Sequence, residues 1–221
     1  MSNTYQYGDG VSFDPAKHQY FKGKPHESDE LESVTRIEKI AGLVDTRWFK
    51  PEHANRGSRV HQFTADYDTG VLNESEIVDD EHYGYVEAWK KFCEDYNPKF
   101  SRIEWMLSDE YLGIAGTIDR VGTIVDGKVR RRCLLDIKTG AKSPSHHIQT
   151  AAYYGMLVKK LIAQGEVERA AVAVRRYLVY IKKTGKYSVV ECKDLSGDQM
   201  LWNAALTVAR YRIKHRLYQE G

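Results

Sequence analysis

The chain has 221 residues, 42% hydrophobic and 29% charged, and a formal net charge of +2. That balance suits one folded domain with a sizeable core and excludes a disordered or collagen-like chain. No apolar run approaches the roughly 18 residues of a membrane span, and the amino terminus lacks the basic and apolar regions of a secretory signal, so a cytoplasmic location is expected.

In chain order, a hairpin around Lys22, Gly23 and Lys24 precedes a helix capped by Ser33 or Thr35, in which Ile37, Ile40 and Ala41 recur at helical spacing and Gly42 ends the run. Residues 55–67 read as a second helix with Val60, Phe63 and Tyr67 on one face and His61 beside it. After an acidic stretch, a third helix covers 83–96 with Val86, Trp89 and Phe92 turned inward. Strands follow at 101–109, 112–125 and 130–140, the last two joined by an Asp126–Gly127 turn, so the three form a meander. A helix from 145 to a stop at Gly165, strands at 169–183 and 186–193 around Thr184–Gly185, and a closing amphipathic helix over 198–219 complete the chain. The order predicts an α/β arrangement, an α+β sandwich around one mixed sheet. It divides a single domain, 1–221, into a mainly helical part over 1–100, a sheet core over 101–195 and a carboxy-terminal helix over 196–221. Trp48, Trp89, Trp105 and Trp202 read as packing residues, and His146 and His147 as surface residues at a helix start.

The stretch LLDIKTG, residues 134–140, carries the first chemical signal. On a strand, Asp136 and Lys138 share a face while Ile137 points to the other. Their apolar flanks, Leu134, Leu135 and Ile137, imply a covered strand, and buried charge is costly without a partner. Asp119, seventeen residues earlier on the neighbouring strand, brings a second carboxylate to the same point. Converging carboxylates repel unless a cation intervenes, and Mg²⁺ is the expected one, because oxygen-rich sites suit it and phosphate can complete its shell. Two carboxylates, a divalent cation and an ammonium suit phosphodiester hydrolysis, the lysine serving as a compact point charge. Charge along the chain agrees: residues 1–110 carry 13 basic and 22 acidic groups, whereas 111–221 carry 20 and 9, so the second half is fit to face a polyanion. Lys142, Arg175, Arg176, Lys182 and Lys183 are its candidates to track phosphates, although a solvated hairpin explains them equally well.

Taken together, RGSRVH, IEWMLSDEYLGIAGTID, LLDIKTG and HIQTAAYY, in that order, resemble the PD-(D/E)xK nuclease superfamily. Within it they resemble the RecB-like exonuclease branch found in bacteriophages, in CRISPR-associated RecB-like nucleases and in the mitochondrial genome-maintenance exonuclease. The resemblance runs over about residues 30–160 and implies a restriction-endonuclease-like core. It implies that Asp119 is the acid of the first core motif and that Asp136 and Lys138 form the D/E-x-K element, where the Ile137 backbone carbonyl joins the metal ligands. It further implies that His61 adds a nitrogen ligand and that Gln149 and Tyr153, on one helical face, position the water, the lysine or the DNA backbone. Glu104 matches an upstream glutamate with a metal-linked or structural role, and Glu110 is its rival. One or two Mg²⁺ or Mn²⁺ ions are the implied cofactors. The widely spaced Cys93, Cys133 and Cys192 fit neither a disulfide framework nor the iron–sulfur pattern of some relatives, so no cluster is expected. The implied activity is a DNA exonuclease of recombination, replication or end processing, with DNA and proteins of those processes as partners and no membrane. An endonuclease on the same core and a non-catalytic DNA-binding or assembly module are the alternatives.

Overall fold

The computed structural model describes residues 6–26, 29–44, 51–78, 80–166 and 174–218. Four short strands open it: β1 (Gln6–Gly8), β2 (Val11–Asp14), β3 (Gln19–Lys22) and β4 (Glu30–Ser33). The chain turns between β2 and β3 and again after Gly23, whose φ of 66° is the left-handed conformation glycine adopts freely. With the Asp9–Gly10 turn between β1 and β2, the expected hairpin at Lys22–Lys24 is therefore the third of three turns, and residues 6–33 of the part expected to be mainly helical carry these four strands. Helix α1 (Val34–Ala41) starts where the Ser33 hydroxyl accepts from Arg36 N at 3.0 Å and stops at left-handed Gly42. Of the two cap candidates, Ser33 is the one used.

Helix α2 (Pro51–Thr69), the single turn α3 (Glu74–Ile77) and α4 (Tyr83–Tyr96) come next. Then β5 (Lys99–Asp109), β6 (Ile114–Asp126) and β7 (Val129–Lys138) form the expected meander, with Gly127 at φ 64° in its second turn. Helix α5 (Ser145–Ala163), β8 (Arg175–Ile181), β9 (Tyr187–Glu191) and α6 (Leu195–Lys214) follow. The readings for Trp48, for 169–173 and for 219 onward fall outside the described residues.

Among the described residues nine strands make one mixed sheet in the order β1-β2-β3-β4-β6-β7-β8-β9, with β5 on the other edge of β6. One hydrophobic cluster joins Ile37 of α1, Met156 of α5 and Trp202 of α6 to Ile118 and Leu134 of the sheet. A second joins Val60 of α2 and Trp89 and Phe92 of α4 to Leu135 and Ile137. Consecutive residues such as Leu134 and Leu135 thus serve opposite faces, as the pleat requires, and helices cover the sheet on both sides. This is the α/β, restriction-endonuclease-like arrangement.

One detail of register positions the site. Strand β5 pairs along β6 from Ile114 to Thr123, occupying one edge. The other edge is shared: β4 pairs in parallel at Ile114 and Ala115, and β7 pairs antiparallel from Arg120 onward. Residues 116–119 fall between the two, so the sheet opens there. Asp119 stands at the fork.

Candidate active site

At the fork the backbone amide of Ile137 donates to Asp119 Oδ2 at 2.6 Å, a side chain taking the place of a ladder carbonyl. Asp119 and Asp136 are almost wholly buried, at 5% and 2% exposure. Glu104 lies opposite Asp119 on β5, because Ile103 pairs with Arg120 and Trp105 with Ile118. Its φ is 46°, left-handed for a residue with a side chain. Such a conformation costs about 1–3 kcal/mol and persists only where surrounding structure imposes it.

Helix α2 closes the site from above the strands. His61 Nδ1 lies 3.3 Å from Asp119 Oδ1 and 3.5 Å from Glu104 Oε1, while its Nε2 lies 3.1 Å from the Ile137 carbonyl oxygen. The imidazole therefore bridges the carboxylate pair and the carbonyl. Burial pulls its pKa down, but the Asp119 and Glu104 carboxylates outweigh burial and hold it well above the usual histidine value. Asp119 shows the reciprocal effect: burial raises its pKa, and His61 and Lys138 bring it below the ordinary range.

Two residues along α2 from the same face support this arrangement. Arg120, fully buried, donates to Asp68 Oδ2 at 2.6 Å, to Glu104 Oε1 at 2.8 Å and to Thr64 Oγ1 at 3.1 Å. Trp89 Nε1 fixes the other Asp68 oxygen at 3.0 Å. His61, Thr64 and Asp68 recur at helical spacing, so one face of α2 supplies both the imidazole and the anchor for the arginine that holds Glu104. Neither Arg120 nor Asp68 stands out in the sequence reading; the available signal is a basic residue within an otherwise apolar strand core.

Asp136 turns elsewhere. Its Oδ2 lies 2.7 Å from Lys138 Nζ but has no hydrogen bond of good angle, and burial pushes its pKa up to about 6. Lys138 Nζ donates to Gln149 Oε1 at 2.6 Å, and Gln149 Nε2 donates to Tyr153 OH at 3.0 Å. Burial lowers the Lys138 pKa, yet Asp136 and Asp119 together raise it above the ordinary lysine value. The relay needs Gly116, since a Cβ there would sit 2.7 Å from Tyr153 Cε1. Glu38 of α1 is a further buried acid that the sequence reading missed. Burial raises it to about 8, with Lys138 and Asp136 within electrostatic reach, and its Oε1 has no hydrogen-bond partner.

The structure thus brings together His61, Glu104, Asp119, Asp136, Ile137, Lys138, Gln149 and Tyr153. The candidate phosphate trackers divide. Arg176 is buried, with its guanidinium on the carbonyls of His147 and Cys192, Thr150 Oγ1 and Asp198 Oδ2; it is a structural brace, and the nucleic-acid expectation for it is corrected. Arg175 pairs with Glu191. Lys142 is exposed, with its ammonium 5.4 Å from the Tyr180 ring. Glu110 pairs with Lys22 on the surface and is no rival to Glu104. His146 is half-buried, bonded at 3.0 Å to Tyr180 OH, and burial lowers its pKa to about 3.

The donor set fits a hard divalent cation. One nitrogen of His61 and one oxygen each of Glu104 and Asp119 lie within 4.8 Å of one another, against roughly 4 Å across a six-coordinate shell, and the Ile137 carbonyl adjoins them. Carboxylate, carbonyl and imidazole donors suit Mg²⁺ or Mn²⁺. Asp136 lies outside that trio, with its Oδ2 at the Lys138 ammonium. Among the described residues no helix is long and apolar enough to cross a membrane.

No curated protein matches the chain. Among solved structures, a candidate exonuclease from Eubacterium rectale is similar at 14% identity and a TM-score of 0.45, over 82% of each chain. The family profile of the PD-(D/E)XK nuclease superfamily matches residues 34–217. That span holds the fork in the sheet, the acids on either side of it and the lysine relay, so the chain belongs to the PD-(D/E)XK nuclease superfamily.

Proposed function

We propose that the chain is a divalent-metal-dependent deoxyribonuclease that degrades DNA from its ends, in phage or bacterial recombination, replication or end processing. The observation that carries the nuclease chemistry is the meeting of His61, Glu104 and Asp119 ligand atoms within 4.8 Å of one another, beside the Asp136–Lys138 pair. The exonuclease assignment is supported by the order of motifs resembling the RecB-like branch.

In this reading His61, Glu104, Asp119 and the Ile137 carbonyl would hold the cation, which when bound would supply a Lewis acid for phosphodiester hydrolysis. Arg120 keeps Glu104 in place, and the Ile137 amide keeps Asp119 in place. Lys138 stays protonated beside its carboxylates, so it orients the attacking water and meets the negative charge gathering on phosphate oxygens rather than accepting a proton. Gln149, backed by Tyr153, fixes the ammonium against rotation. Asp136, with an oxygen free of good hydrogen bonds, is in this reading the group that accepts a proton of that water.

The test is incubation of end-labelled linear DNA and covalently closed circular DNA with Mg²⁺, with Mn²⁺ and with EDTA. Linear strands are expected to shorten progressively in either metal, circles to persist, and EDTA to stop the reaction. Rapid cutting of closed circles would replace the exonuclease reading with an endonuclease one. No cleavage of any DNA would remove the enzymatic reading altogether.

A further inference from the structure

The cavity at the fork, about 740 Å³, extends beyond the acids. Its lining includes Glu104, Asp119 and Lys138 and also Phe13, His18 and Tyr20 of the β2–β3 hairpin. Phe13 and Tyr20 are direct cross-strand partners, with ring centroids 4.6 Å apart. His18 lies edge-on to Phe13 at 5.1 Å. The cluster is tied to the catalytic strand, since Tyr20 OH and Thr117 Oγ1 are 2.9 Å apart and Thr117 is two residues before Asp119.

Packing explains only part of this cluster. Tyr20 is buried among Val11, Leu31, Met106 and Ala115, but Phe13 is half-buried and His18 is exposed. The turn that presents His18 is rigid: the buried Asp14 carboxylate accepts from Ala16 N at 2.9 Å and Lys17 N at 3.3 Å. His18 itself closes the four-residue hairpin loop at φ 54°, and this left-handed turn position sets its ring beside Phe13. Rings lining the same cavity as the acids and the lysine are suited to a flat, apolar group attached to the phosphate that those residues would meet. A nucleobase has that shape, and base–aromatic stacking tolerates any sequence.

We propose that Phe13 and His18, backed by the buried Tyr20, form a nucleobase subsite that receives an unpaired base of the strand whose phosphate meets Asp119 and Lys138. The inference rests on the nuclease reading and deepens it. A base inside a duplex keeps its faces covered by its neighbours, so the subsite selects single strands or frayed ends.

The experiment uses a single-stranded oligonucleotide carrying 2-aminopurine, with Ca²⁺ and the Lys138→Met protein so that the strand survives. Fluorescence is expected to be quenched on binding. Two further variants carry the test: His18→Asn, which removes the ring while tolerating the left-handed backbone, and Phe13→Leu, which keeps most of the apolar volume. Each is expected to relieve the quench and to weaken single-strand binding by about tenfold, with little change for a blunt duplex. Unchanged quench and affinity in both variants would overturn the subsite. Cleavage of linear DNA by the unaltered protein, lost in Asp119→Asn, reports separately on the nuclease reading; if cleavage stands while the quench is insensitive, only the subsite falls, and if no DNA is cut or bound, both fall.

Discussion

Among the described residues, the buried networks around Arg176 and around Lys138 and His61 are finished differently. Around Arg176, every contact closes: two carbonyls, a hydroxyl and the Asp198 carboxylate take up a guanidinium that is only 2% exposed. It ties β8 to α5, β9 and α6. Around Lys138 and His61, acids outnumber the donors that meet them. Asp136 Oδ2 and Glu38 Oε1 are buried without a hydrogen bond of good geometry, and Glu104 is held in a left-handed backbone. Buried polar groups are ordinarily satisfied, so unspent acceptor capacity at one network, beside a saturated one of the same type, separates a place for chemistry from a place for stability.

Substitutions can break that comparison. The largest effect is expected from Asp119→Asn, which keeps the shape but removes a ligand charge: cleavage should fall by about a thousandfold while the thermal unfolding curve shifts little, and a loss of less than tenfold would show that the acid is structural. Arg176→Met should do the reverse. Leaving Asp198 and two carbonyls without their donor is expected to cost about 3 kcal/mol of stability, measured by urea unfolding, with activity per folded molecule retained. Gln149→Leu frees the Lys138 ammonium and should lower the turnover rate by about tenfold with metal binding unaltered, as titration calorimetry would show.

The smallest effect sharpens the contrast through pH. Burial raises Glu38 from 4.5 to about 8, so between those values the folded chain holds a proton that the unfolded chain has released. Stability therefore falls as pH rises through that window and levels off above it. Glu38→Gln should flatten the fall, by on the order of 1–2 kcal/mol at pH 8 relative to pH 5, in unfolding curves taken at each pH. Equal slopes for the two proteins would mean that the carboxyl finds water or a partner when ionised.

Much of this was legible in the amino-acid order. Helix α4 runs from Tyr83 to Tyr96, the span its apolar spacing predicts, because Val86, Trp89 and Phe92 leave one register possible. The meander was readable because alternation and an Asp-Gly turn agree. Asp136 beside Lys138 followed from the two-residue period of a strand alone. What stayed hidden depends on pairing between distant segments. Glu104 was named among the candidate acids, but its backbone inversion and the arginine behind it, neither of which has a periodic signature, were not. Arg120 and Asp68 are 52 residues apart and meet only when α2 packs over the sheet. Strands β1 and β2 were obscured by their shortness, three and four residues, too few to show a period.

The facing of Glu104 and Asp119 across β5 and β6 has a temporal consequence. A slip of a single position along either strand would send one of the two carboxylates to the opposite side of the sheet, leaving helix content and compactness nearly intact. During refolding, catalytic competence should then lag behind the recovery of circular dichroism, making the first cut strand of DNA a clock for the moment the meander locks into alignment.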